Sequence, residues 1–279
     1  MSNLEIRTSS PSQTALPTIE FDVRRAREVG IQAARSAGGL LRRRVDSIRE
    51  VRHKSAVDIV TDVDLESERE VCATLQAAFP THTILGEEGG VRVGSDTRFR
   101  WIVDPLDGTT NYAHGFPFFC VSIGLEVEGR LMLGVAYAPS LDELYVAEAG
   151  HGALLNDRQI RVSTTRELSQ GLLATGFPYD RAEFARAIKS FEVMSMHSQA
   201  VRRAGSAVLD LCYVAGGRLD GYWEHLVKPW DIAAGALIVL EAGGSVTATD
   251  GSAFRVEGGQ VLASNGLLHE SMISTLTGL

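Results

Sequence analysis

The stretch WIVDPLDGTTNYAHGFPF, residues 101–118, places two carboxylates three residues apart where an apolar run ends. Pro105 fixes the backbone φ angle and removes an N–H, so the chain leaves the predicted strand in a defined direction. If the segment turns as a β-turn, Asp104 and Asp107 point into one small volume, and Gly108 permits close backbone approach. Two carboxylates held together raise each other's pKa unless a cation lies between them.

A magnesium ion fits such a pair, because it takes hard oxygen ligands and is commonly held by one or two carboxylates together with substrate phosphate. Free N–H groups in a turn from Gly108 to Thr110 would complement a phosphate from the other side. The alternative is an ordinary polar turn, since Pro, Asp and Gly are common turn residues. The stretch by itself leaves both interpretations open.

Three other acidic stretches also lie at the ends of predicted elements. They are ILGEEGG, DIVTDVD and WDIAAGALIVLEAGG, and they supply Glu87, Glu88, Asp58, Asp62, Asp64 and Asp231. Taken singly, each has a plain structural explanation, which is a solvated loop for the glutamates and helix capping for the aspartates. Their repeated occurrence at element ends favours one shared site over four unrelated turns.

The composition is that of an acidic, soluble protein. The 279 residues are 44% hydrophobic and 22% charged, with a formal net charge of −8. This charge argues against direct nucleic-acid binding, and no window approaches the ~18 apolar residues of a membrane span. The cysteines Cys72, Cys120 and Cys212 are far apart in apolar patterns, which predicts buried thiols in a reducing cytoplasm. We expect a flexible tail at residues 1–18 and a single catalytic domain at 19–279, with two lobes meeting near residue 150.

The hydrophobic patterns predict helices first, a mostly antiparallel sheet in the middle and mixed α/β units at the end. Helices are expected at 21–45, after Asp64 to Pro80, and at 181–197, 206–215 and 231–242. Strand-like runs include TILGEE, RWIVDP, FFCVSIGLEVEG, RLMLGVAYAP and ELYVAEAG, and later GLLATG, AVRRAG and LDGYWE, with short strands near 245–249 and 260–263. Gly129-Arg130 predicts a hairpin turn. The fold class is therefore α/β, in stacked layers of helix and sheet.

The sequence resembles the inositol monophosphatase family of Mg²⁺-dependent, lithium-sensitive phosphomonoesterases. The resemblance rests on GEE at 86–88, on WIVDPLDGTTNYAHGFPFFCVSIGL at 101–125 and on WDIAAGALIVLEAGG at 230–244. GFPYD at 176–180 and RRAGSAVLDLCYVAGGRLDGYWE at 202–224 extend it, so that it covers roughly residues 20–270. It implies an α/β/α/β/α sandwich, a homodimer, and two or three Mg²⁺ ions per active site.

The resemblance also implies roles for particular residues. The metal ligands would be Glu87, Asp104, Asp107, Asp231 and the Leu106 carbonyl. Thr109, with Glu87, would orient the attacking water, and Asp64 would support a weaker metal site or its water. The substrate contacts would be Asp107, Gly108, Thr109, Gly205, Ser206, Ala207 and Glu224. Lys54 lies near the family's active-site lysine, although its spacing to DIVT is slightly short.

The implied reaction is hydrolysis of inositol monophosphate by metal-activated water, with no covalent intermediate. Within the family, fructose 1,6-bisphosphate, histidinol phosphate, or another sugar or nucleotide phosphate remains an alternative substrate. A haloacid-dehalogenase-type phosphatase is a further alternative, but its block reads D-x-D, whereas Asp104 and Asp107 lie three apart. A binding or regulatory protein on the same scaffold would be expected to lack ligands, yet every acidic position of the pattern is present.

Overall fold

The computed structural model describes residues 22–45, 51–53, 59–178 and 181–278. The predicted tail at 1–18, Lys54 and Asp58 lie outside the described residues, as do the last two residues of GFPYD. The helices are α1 Val23–Arg44, α2 Asp62–Ala78, α3 Thr109–Ala113, α4 Arg181–His197, α5 Ala207–Ala215, α6 Pro229–Glu241 and α7 His269–Thr277, with a 3₁₀ turn at Leu168–Gln170. No helix within these ranges is both long enough and apolar enough to cross a membrane.

The strands form a two-stranded ribbon and two larger sheets. In chain order they are β1 Val51–His53, β2 Ile59–Thr61, β3 His82–Gly86, β4 Gly90–Arg92, β5 Asp96–Asp107, β6 Cys120–Val127, β7 Arg130–Ala138, β8 Glu143–Glu148, β9 Gly152–Leu155, β10 Arg158–Gln159, β11 Leu172–Thr175, β12 Ala200–Arg202, β13 Gly221–His225, β14 Ser245–Thr247 and β15 Gln260–Ser264. The eight-stranded sheet has the order β10-β9-β8-β7-β6-β5-β3-β4, and the five-stranded sheet has the order β12-β11-β13-β15-β14.

The elements stack in five layers, which confirms the expected α/β/α/β/α sandwich. Helices α1 and α2 pack together on one face of the eight-stranded sheet, and α6 packs on its other face. Helix α5 lies against α6 and also contacts β11, β13 and β15, so these two helices form the central layer. Helices α4 and α7 cover the outer face of the five-stranded sheet. In the eight-stranded sheet every pair is antiparallel except β3 with β5, as the middle of the sequence predicted.

Helix α6 is rich in small residues because it is squeezed between two sheets. A Cβ on Gly134 of β7 would lie 2.6 Å from the Ala234 carbonyl oxygen, and one on Gly124 of β6 would lie 3.0 Å from the Ala233 side chain. Gly235, on another face of α6, abuts Leu211 of α5. This close packing fixes where α6 begins, and its first turn carries Asp231.

Several element boundaries differ from the predictions by one to three residues, and three of these differences have a local cause. Helix α2 begins at Asp62, because Thr61 caps it and Asp64 completes a capping box, so Asp62 and Asp64 are helical and not alternating. Helix α6 begins at Pro229, so Asp231 caps it as its third residue, by accepting from the Lys228 N–H, and is not the N-cap residue itself. The hairpin turn lies at Glu128-Gly129, where both φ angles are positive, one residue before the predicted position.

The path of the chain through DPLD also differs from the prediction. Strand β5 continues to Asp107 instead of leaving in a β-turn, and its pairing with β6 shifts register between Asp104 and Asp107. Such an irregularity re-aims side chains next to the end of a strand. Gly108 then adopts a φ of +94° before α3 begins, a backbone conformation that favours glycine.

The three tryptophans occupy three different places. Trp101 is fully buried between the eight-stranded sheet and helices α1 and α2, and Trp223 is fully buried against the outer helices of the five-stranded sheet. Trp230, the second residue of α6, is partly buried and lines a cavity. Each of the two outer cores therefore contains one indole, and the third lies at the surface of the cavity.

Candidate active site

A cavity of about 350 Å³ opens at the end of β5, between the β3–β4 turn and the start of α6. Its walls contain nine of the residues singled out from the sequence, which are Glu87, Glu88, Asp104, Leu106, Asp107, Gly108, Thr109, Glu224 and Asp231. A second cavity of about 90 Å³ shares part of that wall and adds Gly205, Ser206 and Ala207. Asp64 lines neither cavity; it is fully buried behind Thr109.

Asp104 and Asp107 are both buried, and each is anchored by backbone groups. The Leu106 N–H donates to Asp104 Oδ1 at 2.9 Å. Asp107 Oδ2 accepts from the Val208 N–H at 2.8 Å and from the Ser206 hydroxyl at 2.5 Å. Asp107 therefore ties the end of β5 to the start of α5, and both carboxylates have defined orientations.

Asp231 reaches the same cavity from the opposite side. It is the third residue of α6, and its Oδ2 accepts from the Lys228 N–H at 2.6 Å. This bond closes the first helical turn, where the positive end of the helix dipole favours a carboxylate. The position was found from the sequence as a carboxylate preceding an apolar helix, and the structure brings it to the cavity that also contains Asp104 and Asp107.

Thr109 occupies the first position of α3, and its hydroxyl lies between two acceptors. Thr109 Oγ1 is 3.0 Å from Asp64 Oδ1 and 3.1 Å from the Leu106 carbonyl oxygen. The other Asp64 oxygen accepts from the Thr61 N–H at 2.8 Å and from its hydroxyl at 2.5 Å. Because a hydroxyl has a single proton, donation to either acceptor leaves the oxygen lone pairs able to receive a hydrogen bond from water.

Helix α2 holds two further segments of the site through residues that the sequence did not single out. The Ser67 hydroxyl donates to the Pro105 carbonyl at 2.7 Å. The buried Glu68 carboxylate accepts from the Glu88 N–H at 2.8 Å, inside the β3–β4 turn that carries Glu87. Together with Asp64, these side chains fall at i, i+3 and i+4, so one helix face contacts three separate segments.

The turn around Glu87 leaves room for the Glu68 carboxylate only because two glycines flank it. A Cβ on Gly86 would lie 2.6 Å from a Glu68 oxygen, and a Cβ on Gly89 would overlap that carboxylate. The Glu87 N–H also donates to the Val103 carbonyl at 3.2 Å. The glycines of GEEGG therefore indicate, already in the sequence, that another side chain packs closely against this turn.

Glu224 lies on β13 at the boundary of the two cavities. Its carboxylate accepts a hydrogen bond from the Tyr222 hydroxyl. A Cβ on Gly176, which follows β11, would overlap the Glu224 carboxylate. Gly176 therefore makes the space that Glu224 occupies, and the start of GFPYD has a steric function that its composition did not reveal.

The carboxylates of the site perturb one another. Burial, followed by the charges of Glu87, Asp107 and Asp231, raises the pKa of Asp104 well above its ordinary value. Burial raises the pKa of Asp107 to about 6 against the hydrogen bonds that it accepts, and burial is also the main cause of a raised pKa at Asp231. Burial raises the pKa of Glu224 to about 7. Among the residues that the structure describes, the site therefore concentrates negative charge that nearby cations do not offset.

This charge pattern fits a hard divalent cation. The candidate ligands are carboxylate and carbonyl oxygens, which Mg²⁺ prefers, and a cation would remove the repulsion that raises their pKa values. Among the described residues, however, no three Asp, Glu, His or Cys side chains are already arranged to hold an ion alone. An ion would therefore also need oxygens of another kind, and the Leu106 residue that lines the cavity offers a carbonyl.

Comparisons with known proteins show similarity along most of the chain. The sequence model described as "Inositol monophosphatase family" matches residues 22–278. Nus factor SuhB of Pseudomonas aeruginosa is 42% identical over 255 residues, covering 89% of this chain and 94% of that protein. Inositol-1-monophosphatase of Synechocystis is 43% identical over 251 residues, covering 89% and 88%. The structure of inositol monophosphatase from Anabaena superimposes with a TM-score of 0.85 at 43% identity, covering 92% of this chain and 97% of that one.

Proposed function

Because this chain belongs to the inositol monophosphatase family, we propose that it is a Mg²⁺-dependent phosphomonoesterase that hydrolyses inositol monophosphate to myo-inositol and phosphate. The observation that carries the proposal is the convergence of Asp104, Asp107 and Asp231 on one cavity beside Glu87 and Thr109. These are the positions for which the family resemblance implies metal and water contacts. Family membership supports the hydrolysis of a phosphomonoester.

The proposed metal ligands are Glu87, Asp104, Asp107, Asp231 and the Leu106 carbonyl. When bound, Mg²⁺ supplies positive charge that offsets these carboxylates, polarises the phosphoryl group and acidifies water. The protein contributes the fixed orientation of the ligands. Asp104 and Asp107 are each anchored by a backbone N–H, and the Lys228 N–H anchors Asp231, so the carboxylates need little reorganisation when charge develops at phosphorus.

Thr109 and Glu87 are proposed to orient the attacking water. The Thr109 hydroxyl donates toward Asp64 or the Leu106 carbonyl, and its lone pairs then accept one water proton. Asp64 keeps that hydroxyl in place, because it is itself fixed by two donors from Thr61. The Glu87 carboxylate accepts the other proton of the water, so that an oxygen lone pair faces phosphorus.

The chemical step is proposed to be in-line displacement. The water oxygen forms a bond to phosphorus as the ester oxygen leaves, and the proton lost by water ends on the departing inositol oxygen. The backbone N–H groups at Gly108 and Thr109, beside the left-handed turn of Gly108, are proposed to contact the phosphate. The Ser206 hydroxyl donates to Asp107 and is therefore assigned to positioning, not to nucleophilic attack, which agrees with a reaction that has no covalent intermediate.

The identity of the substrate depends on the residues that contact its hydroxyl groups. Gly205, Ser206, Ala207 and Glu224 line the second cavity, and we propose that they contact the hydroxyl groups of inositol. Fructose 1,6-bisphosphate, histidinol phosphate and other sugar or nucleotide phosphates remain the alternative substrates for the same chemistry.

Phosphate release separates these possibilities. Purified protein is assayed with myo-inositol 1-phosphate, fructose 1,6-bisphosphate and histidinol phosphate in parallel, first with Mg²⁺ and then with EDTA. Mg²⁺-dependent release that strongly favours inositol phosphate supports both the chemistry and the substrate. Faster release from another compound would move the substrate assignment, and release that persists in EDTA would contradict the metal-dependent mechanism.

We further propose that residues 19–279 are one catalytic domain, that the protein is a cytoplasmic homodimer, and that lithium inhibits it. The packing of α5 and α6 against both sheets supports the single domain, and the three free, buried cysteines support the cytoplasmic location. The family resemblance supports the homodimer and the inhibition by lithium. Sedimentation at several concentrations tests the dimer, and a Li⁺ titration of the Mg²⁺-dependent rate tests the inhibition.

A second role, beside hydrolysis, is proposed because of the relatives named Nus factor SuhB. That name does not describe inositol phosphate hydrolysis, and the Pseudomonas aeruginosa protein is about as similar to this chain as the Synechocystis inositol-1-monophosphatase is. The net charge of −8 favours a protein partner over direct nucleic-acid contact. The test expresses wild-type chain and Asp104→Asn in a P. aeruginosa strain that lacks its own SuhB. The measurement is whether each protein reverses the defect caused by loss of SuhB in that strain. Reversal by both proteins supports the second role, and reversal by neither or only by the wild type contradicts it.

A further inference from the structure

Asp210 is a buried acid in the wall of the second cavity that the reaction described above does not use. It lies in the first turn of α5, is 2% exposed and lines the cavity together with Glu224 and Arg203. Among the described residues, none donates a hydrogen bond to its carboxylate. A buried carboxylate without a donor is costly, so this cavity offers an acceptor that no described residue satisfies.

The surroundings of Asp210 define the chemistry of that partner. The Glu224 carboxylate lines the same cavity and offers a second acceptor. The Arg203 guanidinium also lines it, stacks over the Phe177 ring at 5.9 Å and lowers the pKa values of both acids by its charge. A hydroxyl group can donate to a carboxylate and accept from the guanidinium, whereas an ammonium can only donate, so this mixed lining matches neighbouring hydroxyl groups.

The second cavity adjoins the cavity that contains the proposed metal ligands, so it can receive the leaving group of the substrate. Asp107 and Asp231 line both cavities, whereas Glu87 lines only the larger one and Gly205 and Ala207 line only the smaller one. A substrate whose phosphate is held beside Asp104 and Thr109 would therefore extend its remaining atoms toward Asp210.

We propose that Asp210 is a specificity-determining residue that accepts a hydrogen bond from a hydroxyl group of a polyol phosphate, remote from the phosphate. This inference rests on the proposed phosphatase function and deepens it, because it names hydroxyl groups remote from the phosphate as the feature that the second cavity recognises. Burial, with the charges of Asp107 and Glu224, also raises the pKa of Asp210, against the lowering charge of Arg203.

The test compares two substrates that differ only in hydroxyl groups, myo-inositol 1-phosphate and cyclohexyl phosphate, with wild type, Asp210→Leu and Asp210→Asn. Loss of one hydrogen bond to a charged acceptor predicts a rise in KM of about ten- to a hundredfold for the inositol compound in Asp210→Leu. Cyclohexyl phosphate should change less than about twofold. Asparagine keeps one acceptor oxygen, so Asp210→Asn should recover part of the difference, while kcat changes little in either variant.

Asp220→Asn serves as the control for a merely structural effect. Asp220 is a buried acid outside both cavities that accepts from the Leu172 N–H at 2.7 Å and from the Ser163 hydroxyl. Its loss should lower the melting temperature and affect the two substrates equally. An equal change for both substrates in Asp210→Leu, or no change for either, would overturn the proposal.

A binding measurement distinguishes failure of this proposal from failure of the proposed function. Saturation-transfer NMR compares myo-inositol with cyclohexanol on the wild type and on Asp210→Leu, in the presence of Mg²⁺ and inorganic phosphate. Selective binding of myo-inositol that disappears in Asp210→Leu supports the role of Asp210, even if neither phosphate is hydrolysed and the phosphatase assignment fails. Binding that is the same in both proteins, or binding of myo-inositol to neither, refutes it.

Discussion

Replacement of Glu224 by Gln should stabilise the metal-free protein at neutral and alkaline pH while leaving it unchanged in acid. The carboxyl is partly buried, and burial raises its pKa to about 7 from an ordinary 4.5. The folded state therefore holds this proton over a pH range in which the unfolded state has released it. The ionised form consequently costs stability, beginning above pH 4.5 and reaching its full value above pH 7.

The size of the effect follows from that difference in pKa. At about 1.36 kcal/mol per pKa unit, ionised Glu224 destabilises the fold by at most about 3 kcal/mol. Solvent at the cavity mouth screens part of this, so we expect about 1.5–2 kcal/mol at pH 8. Glutamine keeps an oxygen that can accept from the Tyr222 hydroxyl. For a chain of this size the gain corresponds to a rise in melting temperature of about 3–8 °C.

Urea denaturation at pH 4.5, 6, 7 and 8, in EDTA, gives the free-energy difference between Glu224→Gln and wild type. Subtraction at each pH removes the contribution of the histidines, among which burial lowers the pKa of His225 to about 4. Glu192→Gln is the control, because Glu192 is an exposed member of a surface ion pair. The reasoning is refuted if the variant is no more stable than wild type at pH 8, or if its advantage is the same at pH 4.5.

Three further substitutions test other contacts. Asp104→Asn should abolish Mg²⁺-dependent phosphate release, a fall in kcat of at least about 10²–10³-fold, with an unchanged circular dichroism spectrum; near-normal turnover would contradict the assignment of the metal site. Glu68→Met removes the acceptor that holds the β3–β4 turn and should lower kcat about tenfold and weaken Mg²⁺ binding, as measured by calorimetry. Glu68→Gln, which keeps an acceptor, and the exposed control Glu70→Met should behave as wild type. Equal losses in both Glu68 variants would exclude a role for the hydrogen bond. Gly176→Ala places a Cβ against the Glu224 carboxylate and should raise KM for inositol 1-phosphate about tenfold but not KM for cyclohexyl phosphate; an unchanged KM ratio would show that Glu224 is not displaced.

Much of the architecture could be predicted because local patterns and tertiary structure agree. Alternating or continuous apolar runs between turn residues predicted the central strands, and the helix expected at 181–197 has the same bounds in the structure. The predicted helix starts were less accurate where an acidic side chain in the first turn accepts a hydrogen bond from the residue before the helix. Asp64 and Asp231 both occupy the third helical position and bond back to the residue before the helix, so each helix begins earlier than its hydrophobic pattern does. Helix α7 was not predicted, because its short apolar pattern gives little signal.

The candidate site could be predicted only for residues whose type reveals their chemistry. Acids at the ends of strands indicated Asp104, Asp107 and Glu87, and the structure brings them to one cavity. Ser67 and Glu68 were missed because they lie on an ordinary amphipathic helix, and their partners are 38 and 20 residues away in sequence. Asp210 was missed because an acid near the start of a helix has a sufficient local explanation in the helix dipole. Long-range contacts of this kind have no signature in a single sequence.

The placement of the three tryptophans makes the protein its own optical probe. Trp101 and Trp223 belong to different hydrophobic cores, one on each outer side of the sandwich, whereas Trp230 lies in the cavity wall between Lys228 and Asp231. A protein that keeps only Trp230 would report occupancy of the cavity by intrinsic fluorescence, without a label. Proteins that keep only Trp101 or only Trp223 would show whether the two halves of the sandwich lose their structure in one transition or in two.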